Sequence, residues 1–356
     1  MDFSNTVIQG TATGSCPRMS STCKTKKFRI QFLLVILLLG FCLTSCKKQD
    51  VPEALPKSLM TSSLFNLFFL DDTRGWAVGK LGKIVATSNG GERWESQKSG
   101  TDNALRGIFF ADQKGGWVVG DAGTLIHTRD GGRSWTAQHS RTKKHLRDVF
   151  FINELTGWVV GEQGTVLSTV TGGKEWKVRD DVQKFFTRND NPFLISLFAC
   201  CFMDDETGWI AGDYGTIIHT RDGGATWEEQ TSGTDALLMD ITFVTPLTGW
   251  AVGENGTVLS TRDGGLTWQT QASNTTYLLN GISCADPLHC WAVGYGTILG
   301  TTDGGSNWNI VRGDKKMWLY GIDAVGTDKI SITGDFGELL ISSDGGTSWV
   351  TRIPYE

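Results

Sequence analysis

Thr128-Arg129-Asp130-Gly131-Gly132-Arg133-Ser134-Trp135 is one of seven copies of a single phrase. The phrase is a small hydroxyl residue, a variable position, Asp, Gly-Gly, two variable positions and Trp. The copies end at Trp94, Trp135, Trp176, Trp227, Trp268, Trp308 and Trp349, with gaps of 41, 41, 51, 41, 40 and 41 residues. A period near 40 held over seven units is the mark of a repeat architecture, and it decides the fold before any local reading does.

Each unit carries a second phrase, Gly-Trp-x-x-Gly followed by Gly-Thr and an apolar pair. It begins at Gly75, Gly116, Gly157, Gly208 and Gly249, becomes Cys290-Trp291 in the sixth unit, and has Ser331 in the Trp place in the seventh. The two phrases absorb every tryptophan except Trp318, so tryptophan here is a repeated packing element. In the second unit the apolar runs Leu105 to Phe110, Gly116 to Gly120, Thr124 to Thr128 and Trp135 to Gln138 are of strand length and bounded by turn residues. Four such strands make one antiparallel sheet, and Gly120-Asp121-Ala122-Gly123 reads as a hairpin whose glycines supply positive φ angles. One sheet cannot bury both its faces, whereas seven stacked radially cover one another. The expectation is an all-β, seven-bladed β-propeller with four antiparallel strands per blade, over residues 62–356. Its repeats end near 100, 141, 182, 233, 274, 314 and 356. An open solenoid would need polar capping units, and none is evident.

The Asp of the first phrase reads as structural. Asp130, Asp222, Asp263, Asp303 and Asp344 are placed to accept hydrogen bonds from their own turn, and Asn89 and Thr171 keep a side-chain oxygen for the same task. A catalytic carboxylate would not recur around a ring and be exchanged for Thr.

Residues 1–45 read as a signal peptide, with Met19 as an alternative start. Lys24, Lys26, Lys27 and Arg29 precede an apolar run from Phe32 to Leu43 that is too short to span a membrane. Leu43-Thr44-Ser45-Cys46 resembles a bacterial lipobox, which would make Cys46 the lipidated first residue of the mature chain. Residues 46–61 would then be its tether, and the expected location is the cell envelope, on the periplasmic or surface side of the outer membrane. Removing the leader leaves 28 basic against 37 acidic side chains, a balance of −9, which argues against nucleic acid as a partner. Cys200 and Cys201 fall in an apolar strand and read as packing residues. Cys284 and Cys290 flank a turn and are able to bridge in an oxidising compartment.

A functional surface is expected where a constant scaffold position carries variable chemistry. Twelve residues before each second-phrase tryptophan, or Ser331, stands a Leu, and the next residue changes from unit to unit. The series is Phe65, Arg106, Arg147, Phe198, Met239, Asn280 and Tyr320, which would ring the central channel on the face of the inter-blade links and second-to-third-strand hairpins. Arg141, Lys143, Lys144, His145 and Arg147 form a basic stretch leading into the third unit. The only long insertion, within Asp180 to Asn191, lies on the neighbouring link with Phe185, Phe186 and Arg188. Basic residues beside aromatics suit protein contact.

Gly-Trp-x-Val-Gly-x-x-Gly-Thr followed by Thr-x-Asp-Gly-Gly-x-x-Trp resembles the photosystem II stability/assembly factor family over nearly all of residues 62–356. The resemblance implies a non-enzymatic propeller that assists assembly of a membrane protein complex. It also implies an arginine-rich patch meeting the client, for which Arg106, Arg141 and Arg147 are the candidates by location. The Ser-Cys-Lys-Lys junction instead resembles lipoproteins of Bacteroidota-type bacteria, so the address differs from the thylakoid lumen expected of the photosynthetic members.

The expected function is therefore a monomeric, lipid-anchored binding or assembly module for a membrane protein or complex, with Arg106, Arg141, Lys143, Lys144, Arg147, Phe198 and Tyr320 as partner-binding residues. One rival is a glycan or cell-envelope binder that stacks sugars on Trp318, Tyr320 and Phe198. Another is a sialidase-like hydrolase, which needs three convergent arginines, a Tyr nucleophile and an acid, and the ring offers only two arginines. No metal-ligand spacing and no phosphate-cradling loop appear, so no metal and no cofactor are expected; His127 and His219 recur at one strand position and read as packing.

Overall fold

The computed structural model describes residues 62–179, 182, 195–313 and 316–354. Cys46, the leader, the tether and nearly all of the Asp180 to Asn191 insertion lie outside the described residues. Within them the chain is a seven-bladed β-propeller of seven four-stranded antiparallel sheets, each built from four consecutive strands in sequential order. In blade 2 the strands are Leu105–Phe110, Gly116–Gly120, Leu125–Thr128 and Thr136–Ala137. The fourth is shorter than its apolar run suggested, because only Thr136 and Ala137 pair with the third strand.

The blades are joined by a recurring aromatic device. Phe110 ends the first strand of blade 2 and pairs with Gly116, which opens the second. A Cβ at Gly116 would stand 2.5 Å from the Phe110 ring, so only glycine leaves room for it. Trp76 of blade 1 then stacks on that ring, with centroids 3.6 Å apart and planes 12° apart. Trp135, from the Asp phrase of blade 2, meets the same ring edge-on at 85°. Face-on and edge-on contacts around one ring satisfy its quadrupole from two directions. Trp117 on Phe151, Trp158 on Phe202 and Trp209 on Phe243 repeat the stack across the next three seams.

Hydrogen bonds fix the indole rings. Trp76 Nε1 donates to the Gly131 carbonyl of the next blade at 3.2 Å, and Trp209 Nε1 does the same to Gly264 at 3.1 Å. The Asp-phrase tryptophans donate backwards, Trp135 to Gln97 Oε1 and Trp268 to Gln230 Oε1. Gln97 and Gln230 in turn donate to Gly131 and Gly264. At the seams between blades 1 and 2 and between blades 4 and 5, the two tryptophan classes and one glutamine thus leave the buried indole N–H groups satisfied. The Asp turns behave as expected. Asp130 accepts from Ser134 N at 2.9 Å, Ser134 Oγ at 2.6 Å and Thr128 Oγ1 at 2.8 Å, and the Ser134 bonds hold its carboxyl down at about 2. Thr171 accepts the equivalent bond from Glu175 N at 3.0 Å.

The second-to-third-strand hairpins correct one expectation. The link is a single 3₁₀ turn, Asp121–Gly123 in blade 2, and the first glycine does not supply a positive φ. Gly120 is extended, and glycine is needed there because a Cβ would stand 2.1 Å from the Ala104 carbonyl of the incoming link. The left-handed residues are Ala122 and Gly123, and the former position holds Leu81, Gln163, Tyr214, Asn255 and Phe336 in other blades. Exposed side chains at the hairpin tips therefore ride on αL backbone that glycine would occupy more cheaply.

Ring closure uses no exchanged strand. At the seam between blades 7 and 1, where Ser331 replaces the tryptophan, Lys329 Nζ lies 4.5 Å from the Phe69 ring centroid and also donates to the Asp72 carbonyl. Phe69 N donates to Asp323 Oδ2, and Ser63 Oγ to Asp335 Oδ1. Blade 6 departs in another way. Cys284 and Cys290 stand where blades 1 to 5 have Phe and Gly, pair across the same two strands, and form a disulfide. The covalent bridge replaces the Phe-on-Gly contact, and Trp250 of blade 5 is met instead by the Arg262 guanidinium at 5.3 Å.

Reduction of this bond, which closes a short loop, should lower stability by about 2 kcal/mol in urea denaturation. The double substitution Cys284→Phe with Cys290→Gly rebuilds the repeat's own contact. It should make stability insensitive to reductant while keeping it above that of the reduced natural chain.

Candidate central binding site

Every first strand begins with a Leu of 0–4% exposure, from Leu64 through Leu319. Strand pleating then sends the next side chain the opposite way. In all seven blades the pairing register also slips at this point, between Leu105 and Gly107 in blade 2 and between Leu238 and Asp240 in blade 5. The residue after the Leu is the unpaired member of a β-bulge, and bulges turn side chains out of the ladder's plane. The outcome is one cavity of about 240 Å³ at the axis, lined by all seven of Phe65, Arg106, Arg147, Phe198, Met239, Asn280 and Tyr320.

The two arginines are anchored. Arg106 forms a two-pronged pair with Asp121 of its own hairpin, Nε–Oδ1 at 3.0 Å and Nη2–Oδ2 at 3.1 Å, and lies 4.6 Å from the Phe65 ring centroid. Arg147 pairs with Glu162 and lies 5.6 Å from the Phe198 ring centroid. Parallel fork contacts fix a guanidinium in position as well as partly neutralising it. Arg147 Nε is buried without a hydrogen-bond partner among the described residues. Tyr320 donates to Asp335 Oδ1 at 2.9 Å and packs edge-on against Phe65, and burial with that carboxylate pushes its phenol up. Asn280 Nδ2 donates to the Leu319 carbonyl at 2.7 Å. The hairpin acids Asp121, Glu162 and Asp335 are therefore committed to the ring's own side chains.

The remaining predicted residues sit elsewhere. Arg141 and Lys143 are exposed on the link into blade 3, and Lys144 Nζ donates to the Gln163 carbonyl at 3.3 Å; none of the three lines the cavity. His127 and His219 stack on Trp117 and Trp209 at 4.7 Å, and no group of metal-ligating side chains occurs among the described residues.

Sequence reading missed Asp148 and Asp240, one position beyond the ring residues. Asp148 accepts from Val149 N and, across the seam, from Cys200 N at 3.0 Å. Asp240 accepts from Ile241 N and from Ile282 N of the next blade at 2.8 Å. Both keep partial contact with the channel, but burial dominates and pushes Asp148 up to about 6 and Asp240 up to about 7, the charge of Asp148 adding to the latter. Asp323 at the closing seam is likewise raised by burial, to about 6. Their signal in the sequence was an Asp in a strand position held by Asn66, Gly107, Ala199 and Gly281 in four other blades.

These groups give a sign to the pH dependence. Their folded values lie above the unfolded 3.8, so the unfolded chain loses each proton first, and stability falls as pH rises from about 4 to about 7. Asp130, held low, acts only below that window. Urea denaturation across pH 4.5 to 8 should show this decline, with a shallower slope for Asp240→Asn whatever its absolute stability.

Comparison with known proteins places the architecture. Among the solved structures that match at the level of the fold are two YCF48 proteins. YCF48 bound to D1 peptide has 19% identity and a TM-score of 0.65 over 80% of this chain and 92% of that one. YCF48 from Cyanidioschyzon merolae has 20% identity and a TM-score of 0.67 over 80% and 96%. The GH74 enzyme of Niastella koreensis also shares the fold at 13% identity and a TM-score of 0.64, with 81% of this chain covering 54% of that one. No curated protein matches the sequence. The family model for the photosynthesis system II assembly factor YCF48 matches residues 54–142, 135–232 and 227–354, between them the whole propeller. The chain belongs to the photosynthesis system II assembly factor YCF48 family.

Proposed function

We propose that this protein is a non-enzymatic binding module of the cell envelope that docks an extended segment of a membrane-protein partner over the central cavity and so aids assembly of that partner's complex. The observation that carries the reading is the ring itself. Two arginines held against phenylalanine faces stand in the same cavity as Met239 and Tyr320. A peptide carboxylate or carbonyl meets the donors while apolar side chains meet the rings, the division of labour expected of a small polar-on-apolar pocket. The related YCF48 bound to a D1 peptide supports a peptide as the ligand class. Arg141, Lys143 and Lys144, outside the cavity, would extend the contact along the link. A sialidase-like reaction has less support, since the cavity presents two arginines, both paired, and a phenol whose proton is harder to remove than usual.

The lipid anchor at Cys46 belongs to the same proposal and would tether the protein to a membrane. Cys46→Ala should abolish lipid labelling and move the protein from the membrane to the soluble fraction; unchanged labelling would remove the anchor from the proposal.

Capture from native membranes by the natural protein should recover a membrane protein. The Arg106→Ala, Arg147→Ala double variant should bind the recovered protein, or a peptide from it, about 10- to 100-fold more weakly, as expected for lost charge-assisted hydrogen bonds. Undiminished capture by the double variant would move the site away from the cavity.

A further inference from the structure

A second surface arises where blade 6 leaves the repeat. In blades 2 to 5 and 7 the residue after the second strand's last glycine is acidic, Asp121 in blade 2 and Glu254 in blade 5. Blade 6 lacks that residue. Its hairpin is Gly294-Tyr295-Gly296-Thr297, one residue shorter, which accounts for the single 40-residue gap in the series.

The deletion has two consequences. In blades 2 and 3 the hairpin Thr hydroxyl donates to the backbone carbonyl of the acidic residue, Thr124 to Asp121 and Thr165 to Glu162, each at 2.7 Å. Thr297 has no such carbonyl to reach. Its residue is 3% exposed and its hydroxyl is buried with no hydrogen-bond partner among the described residues. An unsatisfied buried hydroxyl is costly, on the order of 1–3 kcal/mol, unless something completes it. The shortened turn also places Tyr295 between Tyr277 of the preceding link, at 5.5 Å, and Trp318 of the following one, at 4.9 Å. Tyr277 is 53% exposed and Trp318, the one tryptophan outside the repeat phrases, is 37% exposed.

Tyr277 and Thr297 both line an open groove of about 680 Å³ on the seam between blades 5 and 6. No described residue lining this groove is charged, in a chain where one residue in five is charged. Besides Tyr277 its wall is made of small residues, Ile310 and neutral hydrogen-bonding side chains, including the exposed Asn255 and Thr276. An aromatic plate beside amides and hydroxyls, with no ionic group among the described lining residues, does not suit nucleic acid or an anionic headgroup, both of which need cations. It also lacks the arginines that mark protein interfaces. It matches a sugar ring, whose C–H face is apolar and whose rim is neutral hydroxyls.

We propose that the groove between blades 5 and 6 binds a neutral polysaccharide. Sugar rings stack on Tyr277 and continue along the Tyr295–Trp318 row, while ring hydroxyls bond to the exposed Asn255 and Thr276. This site is separate from the central cavity and does not depend on the peptide reading.

Affinity electrophoresis of the purified protein in native gels containing hydroxyethylcellulose, xyloglucan, a β-1,3-glucan, galactomannan or dextran tests it, with polygalacturonate as a charged control. At least one neutral polymer should retard the protein. Tyr277→Ala, which alters an exposed ring, should weaken that retardation at least tenfold, while the Arg106→Ala, Arg147→Ala double variant should leave it unchanged. Migration unaffected by every neutral polymer, retardation that survives Tyr277→Ala, or retardation only by polygalacturonate would each overturn the proposal.

Discussion

Where the first strand of a blade ends, a phenylalanine ring lies over the glycine that opens the second, and the tryptophan of the preceding blade stacks on it. At four of the seven seams the packing and hydrogen bonding between blades are organised around this contact. The glycine sets how deep the ring sinks, since any Cβ would overlap it. The depth lets Trp76 reach both Phe110 and the Gly131 carbonyl, joining apolar burial and hydrogen bonding in one side chain. Because the contact acts between blades, no blade has a complete core of its own. Stability is thus a property of neighbouring pairs, as in other repeat proteins.

The three seams that lack the stack show what the constraint permits. Blades 5 and 6 use a disulfide and an arginine over Trp250, and blades 7 and 1 use a lysine over Phe69. Between blades 6 and 7, Trp291 packs on an aliphatic cluster with Ile330 and Leu340 and donates to the Gly345 carbonyl. Freed from the repeat's tightest requirement, this side of the ring is also where the aromatic row Tyr277, Tyr295 and Trp318 stands.

The fold was legible because both phrases combine residues that are costly anywhere else. Glycine, tryptophan and aspartate at fixed spacing leave few alternatives for the backbone. The ring of seven side chains was legible for a related reason: a Leu twelve residues before each tryptophan or its substitute fixes which neighbour turns to the axis. Partnership was harder to read. Arg106 and Asp121 are separated by a strand, a turn and a bulge, and only folded geometry shows that each arginine spends its charge on its own hairpin acid. The glutamine latch stood in view at Gln97, Gln138, Gln230 and Gln271, three residues after a tryptophan, but no local rule assigns it a task. Asp148 and Asp240 were hidden because a polar residue in a strand normally indicates a solvent face. Here that face looks into a channel, where water is scarce and carboxylates lean toward their neutral form.

Each blade is made of four consecutive strands, and none is completed by a strand from the far end of the chain. Covalent units and spatial units therefore coincide. The gap between the first and last blades is, in its bonding, one more seam, held by side chains rather than by a shared sheet. Joining the described ends and opening the chain at another inter-blade link would leave every sheet with its own strands. In such a molecule the position of the termini is a matter of history, and the ring itself has no beginning.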